Sequence, residues 1–328
     1  MRKTIPKIWL MRQAGRYMPE YQEVRKSFPS FLDLCYDPEK AAKVTMQPVD
    51  KFDLSAAIVF SDILVTADSL GVKTEFKENQ GPVLEKMNTL QQAKNLVITE
   101  KCWQFSQIAK TIEIVKKRIN NKPIIGFVGG SWTVCAYILE GVGKTGFKEA
   151  IKKIYTDPLL VEILIEKITQ QNIYYLKEQI RAGANFVQIF ESHAGIVPPE
   201  KFEELVIKPT NNICQAIKEE FPNIDIIGFP RGCGYLYDKF IDETAIDIIG
   251  CDQYIPIKKM RGWQNKKIVQ GNLDPLVLFS NPDIIKEKVR NIMDNLDKEK
   301  LIFNLGHGIL PGTPVENVKF LSLCVQSW

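Results

Sequence analysis

Residues 185–195 read NFVQIFESHAG: a short apolar run, Asn185–Phe190, that breaks into a polar, glycine-bearing stretch, Glu191–Gly195. A run of this length, rich in β-branched and aromatic residues, is how a parallel strand buried on both faces reads. The same pattern recurs along the chain. Strands are expected at Ala56–Ser61 (AAIVFS), Pro123–Val128 (PIIGFV), Ile224–Phe229 (IDIIGF), Ile246–Cys251 (IDIIGC), Lys267–Gly271 (KIVQG) and Leu301–Leu305 (LIFNL). Each is followed by chemistry: Ser61-Asp62, Gly129-Gly130-Ser131-Trp132, Pro230-Arg231-Gly232, Asp252-Gln253-Tyr254, Asn272-Leu273-Asp274 and Gly306-His307-Gly308.

Between the strands lie helical patterns, with Asp37-Pro38, Asp157-Pro158, Asp274-Pro275 and Pro282-Asp283 as start signals. The helix from Asp157 should run to about Ile180, and Pro209 should kink or interrupt the one from Pro199 to Phe221. Strand–helix alternation without a linker implies a parallel sheet in a single domain spanning 1–328. Seven strands leave two arrangements: an open doubly wound sheet, or a (β/α)8 TIM-type barrel whose eighth strand lies in the 72–86 region. No G-x-G-x-x-G follows an early strand, which weakens the dinucleotide-binding alternative. Polar turns behind all seven strands point to the barrel, where the strands' C-terminal ends open onto one mouth.

The bulk numbers narrow the function classes. With 45% hydrophobic and 25% charged residues the chain can bury a full core, so it is neither a disordered tail nor a fibre. A net charge of +4, from 43 Lys+Arg against 39 Asp+Glu, is too mild for a nucleic-acid binder. The densest basic run, Lys116-Lys117-Arg118, sits in a helical pattern and reads as a solvated face. Seven cysteines with no C-x-x-C pair give no disulfide framework, so reduced thiols are expected. The N-terminal apolar stretch is broken by Pro6, Lys7 and Arg12, against a signal peptide, and no apolar run has the length of a membrane span. A soluble, cytoplasmic chain is the expectation, with neither nucleic acid nor membrane as partner.

The N-terminal segment Met11-Arg12-Gln13-Ala14-Gly15-Arg16-Tyr17 stands out. Arg12 and Arg16 are four apart, which on a helical turn points both the same way, and Gly15 lets backbone or ligand approach. Arg25 follows as a third guanidinium. Planar guanidiniums bind carboxylates or phosphates in two-pronged fashion, so the group suits a polyanion. The alternative is surface arginines paired with Glu20 and Glu23. Of the only two histidines, His193 reads as structural and glycine-flanked His307 as ligand-facing. Two histidines and no paired cysteines offer no zinc-like spacing, and there is neither a G-x-S-x-G nucleophile motif nor a Walker loop.

These motifs resemble one family in its own order. Trp9–Glu20 (WLMRQAGRYMPE) looks like the N-terminal signature of uroporphyrinogen decarboxylases, and FSDIL (60–64), FESHAG (190–195), FPRG (229–232), GNLDP (271–275) and FNLGHG (303–308) resemble the rest of the pattern. The likeness covers essentially the whole chain. It implies a (β/α)8 barrel, a homodimer and conversion of uroporphyrinogen to coproporphyrinogen by four successive decarboxylations, with no cofactor and no metal. On matching positions it implies that Arg12 and Arg16 bind substrate carboxylates beside Arg25. Asp62 would face the pyrrole N–H groups, and Tyr137, Phe190, Ser192 and His307 would complete the pocket. Asp62, Arg12 and Tyr137 are then the residues expected to carry the chemistry; an arginine, Tyr137 or a bound water would supply the proton. Two stretches depart from the family pattern: Gly130-Ser131 stands where Ala-Pro precedes the Trp, and DQYIPI (252–257) lacks the expected Trp. Two rivals remain: a zinc-dependent corrinoid methyltransferase of similar barrel, and a non-catalytic tetrapyrrole-binding protein.

Overall fold

A computed structural model of the chain describes residues 7–77, 80–143 and 146–328. Seven strands, β1 (Ala57–Ile58), β2 (Ile124–Gly129), β3 (Phe186–Glu191), β4 (Asp225–Pro230), β5 (Ile248–Gly250), β6 (Ile268–Leu273) and β7 (Leu301–Leu305), run parallel and pair in chain order. All seven expected strands are present, β1 much shortened.

The eighth position is not where the sequence suggested. Thr74–Lys77 and Gly81–Leu84 form an antiparallel hairpin outside the curled sheet. What lies between the sheet's two edges is the N-terminal segment 7–10. The Phe303 N–H donates to Lys7 O at 3.0 Å and the Trp9 N–H to Phe303 O at 3.4 Å, on the β7 side. On the β1 side, the Ser55 N–H donates to Ile8 O at 2.9 Å. Burial explains the choice. Ile8, Trp9 and Leu10 are fully buried, whereas most of the hairpin's residues are partly exposed. Closing the ring with the N-terminal run satisfies both edges and hides the more apolar segment.

Period-2 alternation separates two cores. Along β3, Phe186 joins an inner cluster with Trp9, Ile125, Ile227, Phe229 and Ile302, while Val187 and Ile189 belong to the larger shell under the helices. The barrel is filled rather than hollow. Its buried polar groups pair with one another: Trp9 Nε1–H donates to Gln270 Oε1, and Gln270 Nε2 to Gln188 Oε1, both at 3.0 Å.

Most helix signals hold. The Asp37 carboxylate accepts the Lys40 N–H at 2.9 Å ahead of Pro38–Phe52. Asp157 precedes Pro158–Ala182 without capping it, because its carboxylate pairs with Lys153 at 3.1 Å. The interruption expected near Pro209 is a π-helical turn, Glu203–Ile207, just before the helix Lys208–Glu220. Among the described residues, no helix is long and apolar enough to cross a membrane.

Candidate active site

The site is built from the loops that follow the strands. Its first element is the chain just after the N-terminal stave. Asn304 Oδ1, on β7, accepts the Met11 N–H at 2.9 Å, and the Ile309 N–H donates to Met11 O at 3.0 Å. With Met11 clamped on both sides, Arg12 takes a left-handed conformation, φ 57°. A non-glycine residue held there costs about 1–3 kcal/mol, a feature that concentrates at functional sites. The loop after β7 fits against it. A Cβ on Gly308 would lie 2.9 Å from Arg12 Cβ and 3.2 Å from its Nε, so only glycine leaves the side chain where it is.

Residues 11–17 therefore form irregular turns, not the helical turn inferred from the four-residue spacing; the first helix is Pro19–Lys26. Arg12 and Arg16 still stand close enough for Arg16 to depress the Arg12 pKa. Their expected surface partners do not take them, since Glu20 pairs with Lys51. Among the described residues, neither arginine has a side-chain hydrogen bond or an ion pair. Arg25 turns its Nη1 onto Phe28 O at 2.7 Å, yet it acts on Tyr21 together with Arg16 and Arg12.

Asp62 follows β1. Its Oδ1 accepts the Leu64 N–H at 2.9 Å, the local bond that turns the chain into the short helix Val65–Ser69. Burial pushes its carboxyl up to about 6, against the opposing pull of the Leu64 N–H and of Arg12. It is an anion at neutral pH, but one held at a desolvation cost.

Tyr137 comes from the helix Ser131–Glu140 behind β2. The start of that helix is fixed by Glu191, the last residue of β3. The buried Glu191 carboxylate accepts the Trp132 N–H at 2.9 Å, the Thr133 N–H at 3.1 Å and the Thr133 hydroxyl at 2.7 Å. Gly130 makes room for it: a Cβ there would lie 2.1 Å from Glu191 Cδ. That accounts for one departure from the family pattern, glycine where alanine is usual. The anchored helix carries the Tyr137 hydroxyl to 3.3 Å from His193 Nε2. His193, expected to be structural, thus reaches into the cleft, where burial, aided by Arg231, lowers its pKa to about 4. Burial pushes the Tyr137 hydroxyl up to about 12, within electrostatic reach of Asp62, Arg12 and Arg231. Half-buried Phe190 packs edge-on to Phe127 and Phe229 at the top of the barrel interior, and Ser192 sits half-buried in the turn that follows.

Two further loops complete the mouth. Burial, with Arg231 and Arg12 adding to it, drives His307 down to about 3, so both imidazoles are neutral at physiological pH. Arg231 follows β4, and its loop is held by Asp252, whose Oδ2 accepts the Gly232 N–H at 2.7 Å. This gives the other departing stretch, Asp252–Ile257, a framing role. The Arg231 Nε is buried without a hydrogen-bond partner.

The structure thus brings Arg12, Arg16, Asp62, Tyr137 and His307 together, with Phe190 and Ser192 on the adjoining β3 end and Arg25 bound to Phe28 O within electrostatic reach of Tyr21. Sequence reasoning missed Glu191 and Asp252 as framing groups. The available signal was an acidic residue closing an apolar strand opposite a Gly-Gly turn. Among the described residues, no group of three or more His, Cys, Asp or Glu side chains gathers to hold a metal ion.

Comparison with known proteins gives the chain its family. The family model described as uroporphyrinogen decarboxylase (URO-D) matches residues 3–328. A protein named uroporphyrinogen decarboxylase from Rickettsia bellii is 48% identical over 327 residues, covering 98% of this chain and 95% of that one. Its namesake from Rickettsia africae is 47% identical over 315 residues, covering 96% and 91%. Among solved structures, a methyltransferase from Methanosarcina mazei aligns with a TM-score of 0.78 at 17% identity, over 97% of this chain and 93% of that one. A B12-independent methionine synthase from Shewanella reaches 0.59 at 12% identity, over 88% and 86%. At such identities these two share the fold alone.

Proposed function

We propose that this chain, which belongs to the uroporphyrinogen decarboxylase family, converts the four acetates of uroporphyrinogen III to methyl groups, giving coproporphyrinogen III and carbon dioxide. The observation that carries the reading is one buried carboxylate, Asp62, set among guanidiniums that have no protein anion to themselves, Arg12 and Arg16. A cleft so charged is completed by a ligand that brings several carboxylates and a ring that turns cationic as it reacts.

An acetate on a pyrrole loses carbon dioxide poorly, because the electron pair left behind has nowhere to go. Adding a proton to a ring carbon makes the pyrrole a cationic electron sink. The carbon–carboxyl bond then breaks into that sink, a second proton completes the methyl group, and the ring carbon gives up the first to restore the pyrrole, so each carbon dioxide released costs one proton net. The protein must hold the carboxylates still and stabilise the ring cation. Arg12 and Arg16 do the first by charge-assisted, two-pronged contacts. Asp62 does the second, facing the pyrrole N–H groups. At an effective dielectric of about 20 and about 4 Å, that attraction is roughly 4 kcal/mol.

The ring proton comes from the Arg12 side. Burial above all, with Arg16 and Arg231, lowers the Arg12 pKa against the pull of Asp62, making it a readier acid than a free guanidinium. Tyr137, pushed up to about 12, keeps its proton and serves as a hydrogen-bonding wall. Phe190, Ser192 and His307 line the pocket, with Arg25 as a basic neighbour. The enzyme works as one domain spanning 1–328, homodimeric and cytoplasmic, without metal or cofactor; the family membership supports each of these.

Anaerobic incubation of chelator-dialysed protein with uroporphyrinogen III, followed by chromatography of the oxidised products, tests the reading. A descending series of carboxylates ending at coproporphyrin is expected. Binding without conversion would make the chain a tetrapyrrole carrier, and methyl transfer restored by zinc would move it to the methyltransferases.

A further inference from the structure

We propose that Arg231 is a third carboxylate-binding guanidinium, seated across the mouth from Arg12 and holding a substrate carboxylate that Arg12 and Arg16 do not reach. The inference deepens the decarboxylase reading and rests on it.

The placement follows from the ring. Counting staves in chain order from β1, Arg231 follows the fourth, β4, while Arg12 follows the N-terminal segment that occupies the eighth position. Four staves apart in a ring of eight is opposite. The two cations nevertheless lie within electrostatic reach of each other. Arg231 also acts on His193 and His307, from two other loops, and on Tyr137, from the helix behind β2. Its Nε is buried with no partner, and its side chain has no hydrogen bond or ion pair among the described residues. A buried guanidinium N–H without an acceptor is costly, and a group this size is rarely left so unless a ligand supplies one.

The backbone around it is built to hold it. The Gly195 N–H donates to Arg231 O at 3.0 Å, and the Gly232 N–H to the buried Asp252 carboxylate at 2.7 Å. A Cβ on Gly195 would lie 2.4 Å from Gly232 O, so the loops behind β3 and β4 meet backbone to backbone. The side chain is free while its main chain is fixed, which is the arrangement of a preorganised anion contact.

The neighbouring histidines offer no competing charge. Burial first and Arg231 second keep both neutral, and they present hydrogen-bonding nitrogens to the same ligand. Because the chain has only two histidines, each gives a resolvable NMR signal.

The test compares wild type with Arg231→Met and Arg231→Lys, under anaerobic steady-state kinetics with uroporphyrinogen III and a proton NMR titration of the two imidazoles. In R231M, KM should rise roughly tenfold to a hundredfold, the loss of one charge-assisted contact, with kcat changed far less. R231K should recover part of it, since an ammonium makes one contact where a guanidinium makes two. Both histidine midpoints should move upward in R231M. Wild-type KM in R231M overturns the proposal while leaving the decarboxylase reading intact; absence of conversion by the wild type defeats that reading first. A raised KM with unmoved histidines would put Arg231 outside the cleft and overturn the placement.

Discussion

Replacing Asp62 by Asn should slow the enzyme and stabilise the fold at once. The amide keeps an oxygen for the Leu64 N–H and removes the charge. Burial raises the Asp62 carboxyl from its ordinary 3.8 to about 6. The folded state therefore holds this proton more tightly than the unfolded chain does. That advantage is complete below 3.8 and is lost as pH rises through about 6, so the ionised site costs the fold about 3 kcal/mol at neutral pH and above. The Asn variant is spared that cost. By urea denaturation it should be more stable than wild type by about 3 kcal/mol at pH 8, and by about half that at pH 5, where the native carboxyl is already largely protonated. Turnover should move the other way. Losing an attraction of roughly 4 kcal/mol on the ring cation, less what solvent screens, lowers kcat about a hundredfold to a thousandfold. KM should change little, because the guanidiniums remain. The same carboxyl should make wild-type kcat fall as pH drops below about 6. If Asp62 only starts its turn, Asn should serve as well as Asp. Near-normal kcat with unchanged stability at both pH values would refute the electrostatic role.

The arginines, the glycine beside them and the buried anchor give three more expectations. Arg12→Ala and Arg16→Ala should each raise KM and lower kcat, costing about 1.5–3 kcal/mol in kcat/KM, with Lys rescuing only partly; wild-type kinetics in both would return them to the surface. Gly308→Ala puts a Cβ 2.9 Å from Arg12 Cβ, so kcat/KM should fall tenfold or more while the unfolding midpoint shifts modestly. Unchanged kinetics there would mean that the Arg12 position is not critical. Glu191→Ala strips the acceptor from two N–H groups and a hydroxyl, and should destabilise the fold by about 3–5 kcal/mol in denaturant titration; a loss under 1 kcal/mol would show that the helix start is held by something else.

The parts of this fold that could be read from the sequence are those whose burial is two-sided. NFVQIF announces β3 because its two faces pack against two different cores, Phe186 and Phe190 inward and Val187 and Ile189 outward. The closing stave was hidden because Ile8–Leu10 is brief and follows Pro6, and pairing of so short a segment is decided by the edges it meets. The hairpin at 74–84 drew the eighth-strand assignment instead, since a solvent-facing strand and a buried one share β-propensity. In the site, residue types were legible and conformations were not. The spacing of Arg12 and Arg16 suggested a helix, but the left-handed Arg12 depends on Asn304 and Ile309, almost three hundred residues away along the chain. Glu191 escaped notice for a related reason: its partners are the N–H groups of a helix begun sixty residues earlier.

The carbon dioxide released tests the decarboxylase reading most directly. Uroporphyrinogen III should be incubated anaerobically with the dialysed, chelator-treated protein, and the gas measured against the porphyrinogen consumed. Four molecules of carbon dioxide per molecule carried through to coproporphyrinogen, with nothing added, is the expected result; binding of the porphyrinogen with no carbon dioxide, or release only after a metal or organic cofactor is supplied, would contradict it.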